Sequence, residues 1–154
     1  MRMRTLALAL APITFLVVNH PAVASASTLR CDGLRATIVG TSHHDVIHGT
    51  SHRDVIVALG GRDTVYGGGG NDVICGGGGD DHLFGGAGDD LVNGGNGDDV
   101  EHGGAGDDDL NGDAGDDDLT GGSGDDVEDG GDGVDIEDGV EDASGVDDGG
   151  SIDG

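Results

Sequence analysis

The sequence contains no tryptophan, one tyrosine and two phenylalanines in 154 residues. An aromatic and aliphatic core of the kind that carries a compact enzyme domain is hard to assemble from that set, which argues against a globular catalyst. Cationic side chains are scarce as well. Lys and Arg total 6 against 32 Asp and Glu, and none follows Arg62. All the carboxylates except those of Asp32, Asp45 and Asp54 lie beyond that point. So one-signed a field repels DNA, RNA and anionic lipid and draws cations.

An apolar run long enough to span a membrane is also missing. The longest candidate, Leu6 to Val18, is interrupted by Pro12 and Thr14 and falls short of the roughly 20 apolar residues a span needs. It follows Arg2 and Arg4 and precedes Ala22-Val23-Ala24, a small-x-small pattern. Residues 1–24 are therefore predicted to be a secretory signal peptide cleaved after Ala24, with Ala26 as the alternative. A secreted, extracellular chain without membrane insertion is expected. Removing Arg2 and Arg4 leaves four cationic residues against 32 acidic ones, a formal charge of −28. Only two cysteines are present. In an oxidising compartment an even count points to a disulfide, here Cys31 to Cys75, and two free thiols are the other possibility.

What the chain has in abundance is glycine, 35 residues of it, and it comes in phase. Gly40 to Asp138 divides into eleven consecutive nonapeptides with no insertion or deletion, as in GGGGNDVIC from Gly67, GGGGDDHLF from Gly76 and GGAGDDLVN from Gly85. The sixth position is Asp in every unit. The first is Gly except at Ala58, and the fourth is Gly except at His43 and His52. Glycine at the first and fourth positions is expected to serve turns with unusual dihedrals. Positions seven to nine collect β-formers, so a six-residue turn alternating with a three-residue strand is predicted. The eighth side chain then points opposite to its two neighbours. That position holds Ile47, Ile56, Val65, Ile74, Leu83, Val92, Leu110 and Leu119, the predicted interior. Two units complete one coil, so residues 18 apart stack at the strand spacing of roughly 4.8 Å. The fold class expected is all-β, a parallel β-roll or β-helix solenoid with two repeats per coil.

These GG-x-G-x-D-aliphatic units resemble the calcium-binding nonapeptides of repeats-in-toxin (RTX, hemolysin-type) proteins. The opening, Cys31 through Val39 followed by GTSHHDVIHGTSHRDVIV, is similar to the N-terminal end of small secreted actinobacterial members. The resemblance covers about two-thirds of the chain and implies a β-roll with several Ca2+ ions bound in its turns. The residues support the same chemistry. Stacking at 18 residues sets sixth-position aspartates over one another, and two carboxylates about 5 Å apart repel by roughly 3 kcal/mol at an effective dielectric near 20. A cation between them reverses the sign. All the phased ligands are oxygens, which suits calcium rather than zinc or copper. The expected calcium ligands are Asp63, Asp72, Asp81, Asp90, Asp99, Asp108, Asp117, Asp126 and Asp135. Fifth-position acids such as Asp80, Asp89 and Asp98 are read as outward-facing, either raising the local cation concentration or simply solubilising.

Four departures from the pattern qualify this. Residues 25–39 precede the repeats as a cap segment, and the first two units, with His43 and His52 in place of glycine, read as part of an apolar-cored cap rather than as calcium turns. His43, His44, His48 and His52 scatter over turns and outer faces and are read as exposed and incidental rather than as a zinc site. The eighth position becomes Glu101, Glu128 and Glu137, so either the strand faces shift by one residue or the roll loosens, with lower order expected from about Thr120. From Gly139 the phase is lost, and residues 139–154 are expected to be a disordered acidic tail.

The leading function is a secreted calcium-binding protein without a catalytic domain, folding outside the cell as calcium binds. A disordered acidic calcium buffer is the alternative, and an accessory or remnant of a secreted enzyme or toxin comes third. A partner at the cell surface or in the matrix is left open.

Overall fold

In a computed structural model, residues 29–137 are described. The predicted signal peptide and the tail from Gly139 lie outside them. Among the described residues the chain forms fourteen strands and no helix. A short antiparallel hairpin comes first, β1 (Arg30–Cys31) with β2 (Leu34–Arg35). Then follow β3 (Ile38–Val39), β4 (Val46–His48), β5 (Val55–Val57), β6 (Thr64–Gly69), β7 (Val73–Gly78), β8 (His82–Ala87) and β9 (Leu91–Asn96). The series ends with β10 (Val100–Ala105), β11 (Asp109–Ala114), β12 (Asp118–Ser123), β13 (Val127–Asp129) and β14 (Ile136–Glu137). Successive strands alternate between two parallel six-stranded sheets, ordered β14-β12-β10-β8-β6-β4 and β13-β11-β9-β7-β5-β3. Two nonapeptides make one coil, and every parallel pairing joins residues 18 apart, for example Val65 with Leu83 and Ile74 with Val92. The chain is a parallel β-solenoid, as its period implies.

The predicted partition into six-residue turns and three-residue strands needs correcting. In the central units, β6 to β12 are each six residues long and run on through the first three positions of the next nonapeptide. The reversal is confined to positions four to six. The Gly-rich half still joins the ladder because each coil offers its neighbour a backbone at the same level, so Gly68 pairs with Gly86 and Gly77 with Gly95. A ladder of main-chain bonds needs no side chain.

Two-residue alternation then decides what faces inward. Positions six, eight and one of the following unit point to the interior, where the buried positions are Asp, an aliphatic residue and Gly in turn. Ile47, Ile56, Ala58, Val65, Ile74, Leu83, Val92, Leu110 and Leu119 form one continuous core. All the predicted aliphatic interior positions are in it. The outer face of the sheet containing β5 and β7 is covered near the N-terminus, where Cys31 and Ala36 pack on Val55, Val57 and Val73. A disulfide from Cys31 to Cys75, whose Cα atoms are 5.8 Å apart, ties the hairpin to the third strand of that sheet. On the outer face of the other sheet, ninth-position rings stack in a column: His48 on Tyr66, Tyr66 on Phe84, Phe84 on His102, with centroids 4.9, 5.0 and 5.1 Å apart. Parallel in-register strands bring such like positions to van der Waals distance.

Glycine falls at the first and second positions for different reasons. Second- and fourth-position glycines such as Gly68 and Gly70 take positive φ, 107° and 106°, where a side chain would be strained. The first-position glycines do not, contrary to the dihedral argument. They are glycine because there is no room for a Cβ.

Candidate metal centre

The aspartates of the sixth position follow the turn, and their carboxylates enter the interior. Asp63, Asp72, Asp81, Asp90, Asp99, Asp108 and Asp117 are all at most 3 % exposed. Each Oδ1 is held in the same way, accepting the backbone N–H of the sixth-position residue one coil earlier. Asp54 N donates to Asp72 Oδ1 at 2.7 Å, Asp72 N to Asp90 Oδ1 at 2.8 Å, and Asp90 N to Asp108 Oδ1 at 2.8 Å. The other column repeats the arrangement, with Asp81 N bonded to Asp99 Oδ1 at 2.7 Å and Asp99 N to Asp117 Oδ1 at 2.8 Å. The 18-residue stack predicted for these residues is thus built from N–H to carboxylate bonds as well as from the strand ladder.

The second oxygen has no such partner. Oδ2 of Asp63, Asp72, Asp81, Asp90, Asp99, Asp108 and Asp117 is buried without a hydrogen bond. An unsatisfied buried oxygen on a charged group is among the costliest features a fold can carry. In the central units these atoms face the space beside the first-position glycine. A Cβ built on Gly67 would lie 2.6 Å from Asp72 Oδ2 and 2.5 Å from Gly85 O, and one on Gly76 would lie 2.6 Å from Asp81 Oδ2 and 2.7 Å from Gly94 O. At Gly85 the distances are 2.5 Å to Asp90 Oδ2 and 2.7 Å to Gly103 O. A carboxylate oxygen and a carbonyl oxygen of the next coil therefore converge on a cradle that any side chain at position one would fill. In the unit of Asp63 the first position is Ala58, which is buried in the core.

Burial has an electrostatic consequence. Desolvation, the main cause, raises the Asp81 pKa to about 6 and those of Asp90 and Asp99 to about 7, and neighbouring carboxylates in the column push in the same direction. The backbone N–H bonds pull the other way. Asp63, Asp72, Asp108 and Asp117 are raised too, again chiefly by burial. Repulsion between stacked carboxylates, the term stressed by the sequence, is thus secondary to loss of water. Keeping Asp90 and Asp99 charged at neutral pH therefore opposes the metal-free fold.

Hard oxygen donors, a net excess of buried negative charge and flexible Gly-rich backbone suit calcium. Among the described residues no group of three or more His, Cys, Asp and Glu converges as a metal cluster, so a cation here would draw on one or two carboxylates and complete its shell from backbone carbonyls and water. The four N-terminal histidines are exposed and bring no such cluster.

The ends of the column differ. Asp45 and Asp54 also lie on the stack, but their Oδ2 atoms are satisfied: Thr41 donates N–H at 2.6 Å and Oγ1–H at 2.8 Å to Asp45, and Thr50 donates the same pair at 2.8 and 2.9 Å to Asp54. At the other end Asp126 and Asp135 are half-buried, and their Oδ1 atoms accept Asp108 N at 2.9 Å and Asp117 N at 3.0 Å. The register therefore holds through the glutamate-bearing units. Glu101 pairs with Leu83 and Leu119, Glu128 with Leu110 and Glu137 with Leu119. The one-residue slip considered for these units does not occur, because it would break the N–H to Asp bonds of the column. Instead the last strands shorten, and Val127 and Ile136 stay exposed.

The fifth-position acids have a role that the sequence reading missed. Asp89 Oδ1 accepts Asp107 N at 3.2 Å, Asp98 Oδ1 accepts Asp116 N at 3.1 Å and Asp107 Oδ1 accepts Asp125 N at 3.1 Å. They pair turn N–H groups one coil later, on the exposed edge, while the sixth-position acids pair those one coil earlier. The alternation of two adjacent acids was the available signal.

The RTX calcium-binding nonapeptide repeat, a family of known proteins, matches this chain in four copies, over residues 39–74, 48–82, 74–101 and 102–137. No curated protein and no solved structure matches it.

Proposed function

We propose that this chain, which belongs to the RTX calcium-binding nonapeptide-repeat family, is an exported protein whose roll forms outside the cell when calcium reaches the aspartate column. Repeats of this family bind several calcium ions. In this chain we assign that binding to Asp72, Asp81, Asp90, Asp99, Asp108 and Asp117, with Asp63, Asp126 and Asp135 as flanking ligands.

The observation that carries the assignment is the run of buried, unpartnered Oδ2 atoms set beside glycine cradles. Without a cation these oxygens oppose folding, and with one they support it, so binding energy becomes folding energy. Extracellular calcium modules bind at about 10⁻⁴ to 10⁻³ M, which keeps such a chain open in the cell and closed outside. Export is supported by the apolar run Leu6 to Val18 followed by Ala22-Val23-Ala24 and by the Cys31–Cys75 disulfide, a bond of oxidising compartments. We read the protein as non-catalytic, its repeated residues being spent on the ladder, the core and the carboxylate column.

Circular dichroism and amide hydrogen exchange on the chain from Ser25, with calcium and with a chelator, test this. Calcium should raise β content and protect strand amides. A chelated protein already rich in protected strands would overturn calcium-coupled folding, and calcium binding without protection would favour the disordered-buffer alternative.

A further inference from the structure

The interior holds one carboxyl that the repeat does not call for. Glu101 takes an eighth position, where the stacked neighbours one coil away on either side are Leu83 and Leu119. It is fully buried, and although the backbone N–H groups of Gly94 and Asn111 lie close enough to favour its charged form, neither Oε1 nor Oε2 makes a well-aligned hydrogen bond to them. The other two eighth-position glutamates fold back on their own units: Glu128 Oε1 accepts Gly121 N–H at 2.5 Å, and Glu137 Oε1 accepts Gly130 N–H at 3.0 Å. Glu101 Oε1 also turns toward the first glycine of its own unit, Gly94, but it stands 2.6 Å from where a Cβ would be, and Asp99 Oδ2 crowds the same point. Asp99 Oδ2 is itself buried and unpartnered. In the cradles at Gly76 and Gly85 the second oxygen is a carbonyl, Gly94 O or Gly103 O. At Gly94 it is a second carboxylate.

We propose that Glu101 and Asp99 form a two-carboxylate calcium site inside the roll, tighter than the single-carboxylate cradles and therefore the first to fill. This deepens the reading of the aspartate column as calcium ligands and rests on it. Two dry carboxylates that meet at one point, with only the Gly94 and Asn111 N–H groups beside them, are compatible with one another only if a cation, or a proton, lies between them. Oxygen sites gain affinity with the number of charged ligands, and the absence of water strengthens each interaction. Nothing nitrogenous competes for the ion, because neighbouring His102 stacks on Phe84 at the outer face. The remaining ligands fall to backbone carbonyls and water, since no third carboxylate joins the pair in one cluster. The site lies at mid-roll, on β10 between β8 and β12, so its filling orders coils on both sides.

Calorimetric titration of calcium into the full chain, Glu101→Leu and Glu101→Gln tests the assignment. Leucine repeats its ladder neighbours and keeps the fold, while glutamine keeps the shape and removes the charge. Both variants should lose the tightest calcium equivalent, with the half-saturation of the first ion rising at least tenfold and the other equivalents retained. Wild-type stoichiometry and tightest affinity in both variants would make Glu101 a neutral interior acid and overturn the two-carboxylate site, leaving calcium binding by the column intact. A wild-type chain that takes up no calcium would overturn the column and this site together.

Discussion

The first two nonapeptides and the central ones share a register and an aspartate column, yet they settle the same carboxylate in opposite ways. In the first two, Thr41 and Thr50 stand at the second position and give Asp45 and Asp54 an N–H and a hydroxyl each. In the central units the second position is glycine at positive φ, no hydroxyl is at hand, and Oδ2 is left unpartnered. The cradle distances follow: Asp45 and Asp54 Oδ2 are 3.1 Å from the Cβ positions of Gly40 and Gly49, against 2.6 Å for Asp72 at Gly67. One aspartate is completed by protein donors and the other keeps a bare buried oxygen. On the proposed reading, the N-terminal coils, tied by Cys31–Cys75, supply an end complete without metal on which the central coils stack.

Paired substitutions break this comparison most sharply. Asp90→Asn removes a buried, unpartnered charge, so the metal-free protein should gain β content while losing calcium uptake at that coil, with the calcium midpoint of folding rising about tenfold or more. Asp54→Asn should do the reverse: the Thr50 bonds weaken, stability falls by about 1 kcal/mol and calcium stoichiometry is unchanged. Titration calorimetry with thermal melts separates the two, and equal effects on calcium would erase the distinction between the regions.

A smaller effect comes with pH. Burial holds Asp81, Asp90 and Asp99 at folded pKa values of about 6, 7 and 7, above the ordinary aspartate value of 3.8. Folded and unfolded chains are both protonated below about pH 4, so there is no penalty there. As pH rises to 6–7 the unfolded chain ionises first, the folded one resists, and metal-free stability falls. Calcium-free protein should therefore gain strand signal on acidification from pH 8 to 5, the gain residing in central-strand amides by hydrogen exchange. Calcium affinity should weaken over the same interval because protons compete for the same oxygens.

The smallest change is expected from Thr50→Val, which deletes the Oγ1 bond but keeps the N–H bond to Asp54. Melting should show a loss of about 1 kcal/mol, with calcium uptake unaltered.

Much of this was legible in the nonapeptide phase. Two units per coil, the 18-residue stack and the aliphatic interior from Ile47 to Leu119 follow from period and alternation alone. The same parity, carried one step in each direction, would have placed Asp72 and Gly67 inside as well, but treating positions one to six as a turn hid it. The Thr41 and Thr50 bonds were not legible, because a second-position hydroxyl meets the aspartate four residues on only once the turn is folded. Glu101 was recognised as anomalous, but its burial without slippage was not, since the strength of the N–H to aspartate column that resists slippage appears only once coils are stacked.

By itself the sequence determined the solenoid, its period, the family and the affinity for calcium, because each is a property of one repeated unit and of the charge it carries. Tertiary structure alone decided which oxygens are left without partners. That depends on how the turns fold and the coils stack, where a threonine, a glycine carbonyl or a glutamate meets the same aspartate and leaves it satisfied, bare or beside a second carboxyl.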